Sequence, residues 1–173
     1  AADLILNLPD YSAAERTFQL LTQVAGRAGR GDKPGSVIVQ TYNPEHYSIL
    51  AAQMHDYQAF YRNEIQMREL MVYPPFCYMV RILVSDFSPD GLLDGMQRMA
   101  DGIAERYPDI EMLGPSEAPV SIVRKRHRFH IILKGGSLDL LREAAEYGQN
   151  FMNLSRKSKT LRILIDVEPS SVL

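Results

Sequence analysis

Apolar residues in the second half of the chain follow two different spacings. Short runs rich in Val, Ile and Leu predict strands. Between them lie two stretches whose apolar residues recur every three or four positions, as on one face of a helix. These stripes are Leu92, Met96, Met99, Ile103 and Tyr107 in one stretch and Leu141, Ala144, Ala145, Gly148 and Phe151 in the other.

Prolines and paired glycines divide this half into six elements in the order β-α-β-β-α-β, because both residue types end regular structure. The predicted elements are a strand at 77–85, a helix capped by Ser88-Pro89, a short strand at 111–113, one bent strand or a hairpin at 120–134, a helix capped by Ser137 and a strand at 161–167. This order predicts a ferredoxin-like α+β domain, in which a sheet carries its helices on one face.

The start of the chain has the pattern of the end of an α/β domain. Residues 3–8 and 36–41 are apolar and partly β-branched, which predicts two short strands. Between them, the capping-box spacing that begins at Ser12 predicts a helix from about Ala13 to residues 29–31. A strand, a helix and a strand in succession are typical of the α/β class.

Residues 43–71 have apolar groups at helical spacing. Asn43-Pro44 is suited to begin a helix as N-cap and first helical residue, and the pattern fits one long helix or two. Tyr73-Pro-Pro-Phe76 ends it, because proline cannot continue the helical hydrogen bonds. The sequence therefore divides into residues 1–42, a connecting helical segment at 43–75 and an α+β domain at 76–173.

Composition narrows the class of protein. The 173 residues are 46% hydrophobic and 23% charged, as in ordinary globular proteins, and the net charge of −2 means that any nucleic-acid surface must be local. Cys77 is the only cysteine, which excludes an internal disulfide framework and a cysteine-rich zinc site. No apolar run is long enough to span a membrane. The N-terminus has neither a starting Met nor a basic lead-in, so we expect no signal peptide and a chain that is part of a longer one.

The segment Gln23-Val-Ala-Gly-Arg-Ala-Gly-Arg30 carries the most specific chemistry. At about 100° per residue, Gln23, Arg27 and Arg30 fall on one face of a helix, opposite the apolar residues that begin at Phe18. Guanidinium groups are planar, always charged and able to bind phosphate through two hydrogen bonds. This face is therefore a candidate phosphate site, although arginines near a helix C-terminus also stabilise the helix dipole alone.

The same segment resembles Q-x-x-G-R-x-G-R, the last conserved motif of superfamily 2 helicases. Its neighbourhood is similar to the PriA family of primosomal replication-restart helicases over nearly the whole chain. The matching stretches are residues 8–30, Val39-Gln-Thr-Tyr-Asn-Pro-Glu-His46, Tyr73-Pro-Pro-Phe76, Gly114-Pro115, Ala118-Pro119 and Ile165-Asp-Val-Glu-Pro169. Two positions depart from that family's pattern, which often has arginine at Ser12 and aspartate at Glu168.

The resemblance implies the tail of a second RecA-like helicase lobe, followed by the family's C-terminal domain. It implies that Arg27 and Arg30 reach the γ-phosphate of ATP as catalytic groups and that Gln23 senses that phosphate. ATP and its Mg²⁺ would be bound mainly by the first lobe, because this sequence has no G-x-x-x-x-G-K-[ST] loop. We therefore expect the 173-residue chain alone to be inactive as an ATPase.

The resemblance further implies an ATP-dependent helicase that moves 3′ to 5′ on DNA, recognises stalled replication forks and starts primosome assembly. The implied partners are forked and single-stranded DNA, single-strand-binding protein and other primosome proteins. Zinc is expected only in an insert that this chain lacks, and no metal site is expected within the chain. The implied location is the bacterial cytoplasm, in association with the nucleoid.

Residues 124–130 form a second candidate site. On a strand, Arg124, Arg126, Arg128 and His130 share one face, and Lys125, His127 and Phe129 share the other. Guanidiniums about 7 Å apart can follow a phosphate backbone, and Phe129 or a histidine can stack on a base. The predicted DNA-binding residues are Arg124, Lys125, Arg126, Arg128, Phe129 and His130. The alternative is a charged hairpin tip that keeps a sheet edge from aggregating.

Two other functions fit the sequence. The first is a stand-alone, non-enzymatic α+β module that binds nucleic acid or protein, with an incidental arginine motif. The second is a structural dimerisation domain, which a long hydrophobic seam at 43–71 would favour. His127 and His130 are not expected to form a metal site, because strand residues three apart point to opposite faces.

Overall fold

The structure is a computed structural model that describes residues 2–28, 36–156 and 158–172. The chain divides into two compact units, residues 1–72 and 73–173. No helix in the described ranges is long and apolar enough to cross a membrane.

The first unit is helical in the part of the chain that the structure describes. Its helices are α1 (Asp3–Leu6), α2 (Ala13–Ala28), α3 (Tyr47–Gln53) and α4 (Tyr57–Leu70). Helices α2, α3 and α4 pack around a small core in which the rings of Phe18 and Phe60 stack with centres 4.3 Å apart. The predicted connecting segment at 43–75 thus contributes two helices to this unit.

An ion pair between Arg68 and Glu15 joins α4 to α2 in the first unit, and a second pair within α4 orients Arg68. The guanidinium of Arg68 contacts Glu15 and Glu64, each at 2.7 Å. Glu64 also accepts a hydrogen bond from the hydroxyl of Tyr47 at 2.6 Å, which adds α3 to the network. Glu15 therefore acts here as a partner for Arg68 rather than as a ligand-binding group.

Two strands predicted in the first unit do not form. Residues 3–6 belong to α1, and residues 36–41 have no regular structure, with Ile38 95% exposed. A strand needs a neighbour to accept its backbone hydrogen bonds, and the described part of this unit contains no strand. A helix satisfies its backbone locally, so the short apolar run near residue 3 forms α1 instead.

Helix α2 begins at Ala13 as predicted, but the start of α3 differs from the prediction. Helix α3 is capped by His46, whose Nδ1 accepts from the backbone N–H of Ser48, so Asn43-Pro44 does not begin it. Asp56 caps α4 in the same way, through a backbone N–H at 2.9 Å in the first turn. With this second cap the segment forms two helices, not one.

The second unit has the predicted β-α-β-β-α-β order. Its elements are β1 (Tyr78–Asp86), α5 (Leu92–Arg106), β2 (Glu111–Val123), β3 (Arg126–Gly135), α6 (Leu138–Ser155) and β4 (Arg162–Val167). The strands form one sheet in the order β2-β3-β1-β4, and all three pairings are antiparallel. This is the strand order of a ferredoxin-like sheet.

Helices α5 and α6 cover one face of the sheet. The side chains of Val80, Ile82 and Val84 point from β1 into the core between the sheet and the helices. At Gly148 the helices approach so closely that a Cβ atom would lie 3.0 Å from the sulfur of Met99. The opposite face of the sheet carries the alternate residues, including the charged groups of β3.

The first helix of the second unit begins later than the sequence pattern predicts. Helix α5 begins at Leu92 instead of Ser88. The carbonyls of Ser88 and Asp90 accept hydrogen bonds from the guanidinium of Arg156, so this segment is held as a loop against the end of α6.

The other elements of the second unit follow the prediction more closely. The short strand predicted at 111–113 continues to Val123 as β2. The segment at 120–134 is part of a hairpin, not one bent strand, because β2 and β3 pair antiparallel on either side of its tip. Ser137 caps α6 as predicted, accepting from the N–H of Leu140.

Candidate nucleic-acid interface

Three neighbouring strands place two arginines on either side of one serine. In the register of the sheet, Ser85 of β1 is paired with Arg128 of β3 on one side and with Arg162 of β4 on the other. Side chains alternate along a strand, so these three residues share the face opposite the buried Val84 and Phe129. The end of the sheet therefore presents two arginines whose Cα atoms are about 10 Å apart, twice the spacing of neighbouring strands.

The β2–β3 hairpin brings two more arginines, Arg124 and Arg126, to this end of the sheet. Arg124 and Lys125 form its tip, and both have left-handed backbone conformations, with φ of 50° and 65°. Together with the strand ends, the hairpin borders a solvent-open cavity of about 540 Å³. The residues that line it are Ser85, Phe87, Val123, Arg124, Arg126, Arg128 and Arg162.

The left-handed tip is unusual for these residue types. Two-residue turns of this kind favour Asn-Gly, because other side chains in the left-handed region are strained by about 1–3 kcal/mol each. Placing Arg124 and Lys125 there keeps two cations beside the cavity at a cost in stability. Such strain is concentrated at functional sites, which favours a ligand role for the tip.

The positive charge of this cavity is not balanced by nearby acids. Among the residues that the structure describes, no carboxylate oxygen lies within 4.0 Å of the four lining arginines. The other end of the same face differs, because Lys134 pairs with Glu111 at 3.0 Å and Arg81 pairs with Asp166 at 3.4 Å. The cavity is therefore a local positive site on a chain whose net charge is −2.

Backbone carbonyls orient two of these arginines. Arg126 donates to the carbonyl of Thr160 at 2.5 Å, and Arg128 donates to the carbonyl of Val120 at 3.0 Å. A carbonyl fixes the direction of a guanidinium without neutralising its charge. Burial lowers the pKa of Arg128, and the positive charge of Arg81 lowers it further, so an anion in the cavity would be favourable there.

The remaining predicted DNA-binding residues lie elsewhere. Phe129 is 8% exposed and packs in the core, so its ring cannot stack on a base, because it occupies the helix-covered face. His130 shares the face of Arg128 but is only 8% exposed, and its Nδ1 has no hydrogen-bond partner among the described residues. Burial lowers the pKa of His130, and Arg81 and Arg128 add to that effect. Lys125 is exposed at the tip outside the lining.

Sequence reasoning missed Val123, which adjoins the hairpin tip, and three lining residues that are distant in the chain, namely Ser85, Phe87 and Arg162. These three lie far from residues 124–130 in the chain and join them only through strand pairing. The predicted order contained part of the signal, because it places the last strand beside the first. The end of β1 and the start of β4 could thus have been assigned to the same edge of the site.

Asp86 holds the back of the cavity together. Its buried carboxylate accepts from Nε of Arg156 at 3.0 Å, from the N–H of Phe87 at 2.7 Å and from the hydroxyl of Thr160. Burial raises the pKa of Asp86, but these hydrogen bonds outweigh burial and bring the pKa down to about 2. Because Thr160 in turn holds Arg126, the ionised Asp86 indirectly positions a lining arginine.

The low pKa of Asp86 predicts a loss of stability in acid. The folded-state pKa is about 2 against an ordinary value of 3.8, so the stabilisation is full above pH 4 and is lost as pH falls through 2. The difference corresponds to about 2 kcal/mol. Urea unfolding at pH 5 and pH 2 measures it, and the Asp86→Asn variant should lose about that much less stability over this range. An equal loss in both proteins would contradict the prediction.

The helicase-like motif lies in the first unit. Helix α2 buries Phe18 and exposes Gln23 and Arg27, as its periodicity predicts, and Gln23 lines a shallow, open cavity with Arg16. No described carboxylate pairs with Arg27. Arg30 lies outside the described residues. The two described members of the motif are therefore exposed on one helix side, available to a ligand.

The described ranges contain no candidate metal site. No group of three or more His, Cys, Asp or Glu residues there is close enough to hold an ion. His127 and His130 lie on opposite faces of β3, as strand alternation requires. Burial raises the pKa of Cys77, so its thiol is protonated and unreactive at neutral pH.

Known proteins resemble this chain over nearly its whole length. A family model described as the primosomal protein N C-terminal domain matches residues 69–170. The replication restart protein PriA of Bacillus subtilis is 42% identical over 135 residues, which are 78% of this chain and 17% of that protein. The protein of the same name from Treponema pallidum is 34% identical over 173 residues, 99% of this chain and 26% of its own length.

A further relative gives the same result. The replication restart protein PriA of Haemophilus influenzae is 34% identical over 165 residues, 94% of this chain and 22% of that protein. The chain thus spans 17 to 26% of the length of these three relatives. The family model covers nearly all of the second unit, which contains the arginine-lined cavity.

Proposed function

Because the chain belongs to the PriA family of replication restart proteins, we propose that it is the C-terminal part of an ATP-dependent DNA helicase. In this proposal the whole protein moves 3′ to 5′ on DNA, recognises stalled replication forks and starts primosome assembly. Its partners are forked and single-stranded DNA, single-strand-binding protein and other primosome proteins. The cavity lined by Arg124, Arg126, Arg128 and Arg162 is the observation that carries the DNA-binding part of the proposal.

The cavity suits a phosphate backbone for three reasons. Its guanidiniums lack acidic partners among the described residues, so an incoming phosphate displaces no ion pair. Arg126 and Arg128 are already oriented by carbonyl groups, which reduces the ordering that binding requires. Guanidinium also matches the geometry of phosphate oxygens through two parallel hydrogen bonds. The second unit therefore acts as a DNA-contacting domain in this proposal.

The first unit has a separate role in the proposal. Residues 1–42 are the end of the second RecA-like lobe, and Gln23, Arg27 and Arg30 reach the γ-phosphate of ATP that the first lobe holds with Mg²⁺. The exposure of Gln23 and Arg27 on one side of α2 supports this role. Zinc belongs to an insert in the longer protein. The residues of this chain would stabilise the charge that develops on the transferred phosphoryl group.

We expect the Arg128→Gln and Arg162→Gln variants of the 173-residue chain each to bind DNA about tenfold more weakly. A charge-assisted hydrogen bond to phosphate contributes about 1.5–3 kcal/mol, and part of that is regained by glutamine. Fluorescence anisotropy with a labelled forked oligonucleotide measures the loss. Each variant should also flatten the plot of log affinity against log salt by about 0.7–0.9, as expected for one lost phosphate contact.

The matched control is Arg98→Gln, which removes an equal charge from an exposed position on α5. Because α5 covers the other face of the sheet, this variant should bind DNA within twofold of the parent chain. Equal binding by all four proteins, or binding that does not change with salt, would contradict the assignment of the cavity as a phosphate site.

A further inference from the structure

Phe87 is an aromatic platform at the mouth of the arginine-lined cavity. It follows β1 directly and lies on the same side as Ser85, two residues earlier. The guanidinium of Arg126 lies over its ring, 4.5 Å from the ring centre, yet Phe87 remains 51% exposed. Burial stabilises a phenyl ring in a folded protein, whereas about half of this ring is exposed beside several cations.

We propose that Phe87 and the surrounding arginines form a subsite for one unpaired nucleotide of single-stranded DNA. The base stacks on Phe87, and the phosphates on its two sides bind Arg128 and Arg162. The inference rests on the proposed DNA contact and adds the form of DNA that the cavity takes. Phe87 thereby takes the role of the aromatic residue that was predicted for Phe129, which is buried in the core.

The geometry of the strands supports this division of roles. Arg128 and Arg162 flank Ser85 in register, so their guanidiniums approach the cavity from opposite sides. Phe87 lies beyond Ser85 along the same edge, where a base attached to a backbone held by both arginines would reach it. Arg126, fixed by its bond to Thr160, covers one side of the ring and adds a cation–π contact.

An unpaired base suits the ring of Phe87 better than duplex DNA or a phosphorylated peptide does. In a duplex the faces of the bases are stacked on one another, so an aromatic side chain has no free face to contact. A phosphorylated peptide would engage the guanidiniums but would make no general use of the ring. Stacking of one base on an aromatic side chain contributes about 1–3 kcal/mol and tolerates any base. The subsite is therefore expected to favour single strands without reading their sequence.

The test compares ligands that differ only in their bases. Fluorescence anisotropy measures binding of the 173-residue chain to a labelled oligothymidine, to an abasic oligonucleotide of the same length and to a duplex. The Phe87→Leu variant should bind oligothymidine about tenfold more weakly and should bind the abasic strand and the duplex within twofold of the parent chain. The Phe87→Trp variant should bind oligothymidine at least as tightly as the parent chain, because indole stacks more strongly.

The outcomes separate this inference from the proposed function. Equal losses on oligothymidine and on the abasic strand in Phe87→Leu would overturn the stacking role, as would no loss on either. A bis-phosphorylated peptide that displaces oligothymidine equally well from the parent chain and from Phe87→Leu would overturn it too. If neither Arg128→Gln nor Arg162→Gln weakens binding to any of these ligands, the phosphate site on which the inference rests is overturned instead.

Discussion

Replacing Arg27 with alanine in the full-length protein is expected to slow DNA-dependent ATP hydrolysis by about 1,000-fold, the usual effect of removing an arginine that contacts the transferred phosphoryl group. Arg27 is exposed in the last turn of α2, and no described acid neutralises it. A Cβ atom added at the neighbouring Gly26 would meet no atom of the described residues outside the helix backbone within 4 Å. Steady-state phosphate release in the presence of forked DNA measures the rate.

Two comparisons show whether the effect comes from phosphate contact. Arg27→Lys keeps the charge but loses the planar fork, so it should recover only a small part of the rate. Arg62→Ala removes an exposed arginine from α4 and should leave the rate within twofold. DNA affinity should be unchanged in all three variants, because the arginine-lined cavity is intact. ATP turnover near the parent rate in Arg27→Ala would exclude Arg27 from the nucleotide site.

Replacing Asp86 with alanine is expected to destabilise the 73–173 unit by about 3–5 kcal/mol, the cost of removing one partner from a buried ion pair. The Asp86 side chain is almost fully buried, and its loss removes the acceptor of Arg156 Nε, of the Thr160 hydroxyl and of the N–H of Phe87. These residues hold the loop from β1 to α5 against the loop from α6 to β4, and the two loops would then separate. The change in the free energy of unfolding is measured by urea unfolding, monitored through hydrogen exchange of the backbone amides of β1 and β3.

Asp139→Ala is the matched control for this prediction. Asp139 forms an ion pair with Arg142 at 3.8 Å on the surface of α6, where its side chain is 90% exposed. An exposed pair contributes little, so the control should change the free energy of unfolding by less than about 0.5 kcal/mol. If Asp86→Ala is no more destabilised than this control, the buried network does not hold the end of the sheet.

The sequence predicted the second unit well because its elements are mutually paired. The apolar runs of β1 and β3 and the stripes of α5 and α6 contribute the residues that form the core of this unit. The first unit shows the opposite case. Residues 36–41 have the composition of a strand, but the described unit offers them no partner, so the local preference is not expressed.

The candidate site was predictable in part. Alternation along β3 correctly assigned Arg126 and Arg128 to one face, because side-chain direction on a strand depends on position alone. Phe129 was assigned to DNA from its residue type, and the same alternation in fact directs it into the core. Phe87 and Arg162 required the register of three strands, which is a tertiary property.

At the hairpin tip, thermal stability and the proposed DNA contact favour different residues. An Asn-Gly pair in place of Arg124 and Lys125 would relax the backbone and raise the melting temperature of the second unit. It would also remove two cations from the rim of the proposed DNA site, and the proposal predicts that association with DNA would slow most at low salt. A thermostable version of this fragment engineered at the turn would therefore be a poorer tool for capturing DNA, and heat resistance should be introduced at another loop.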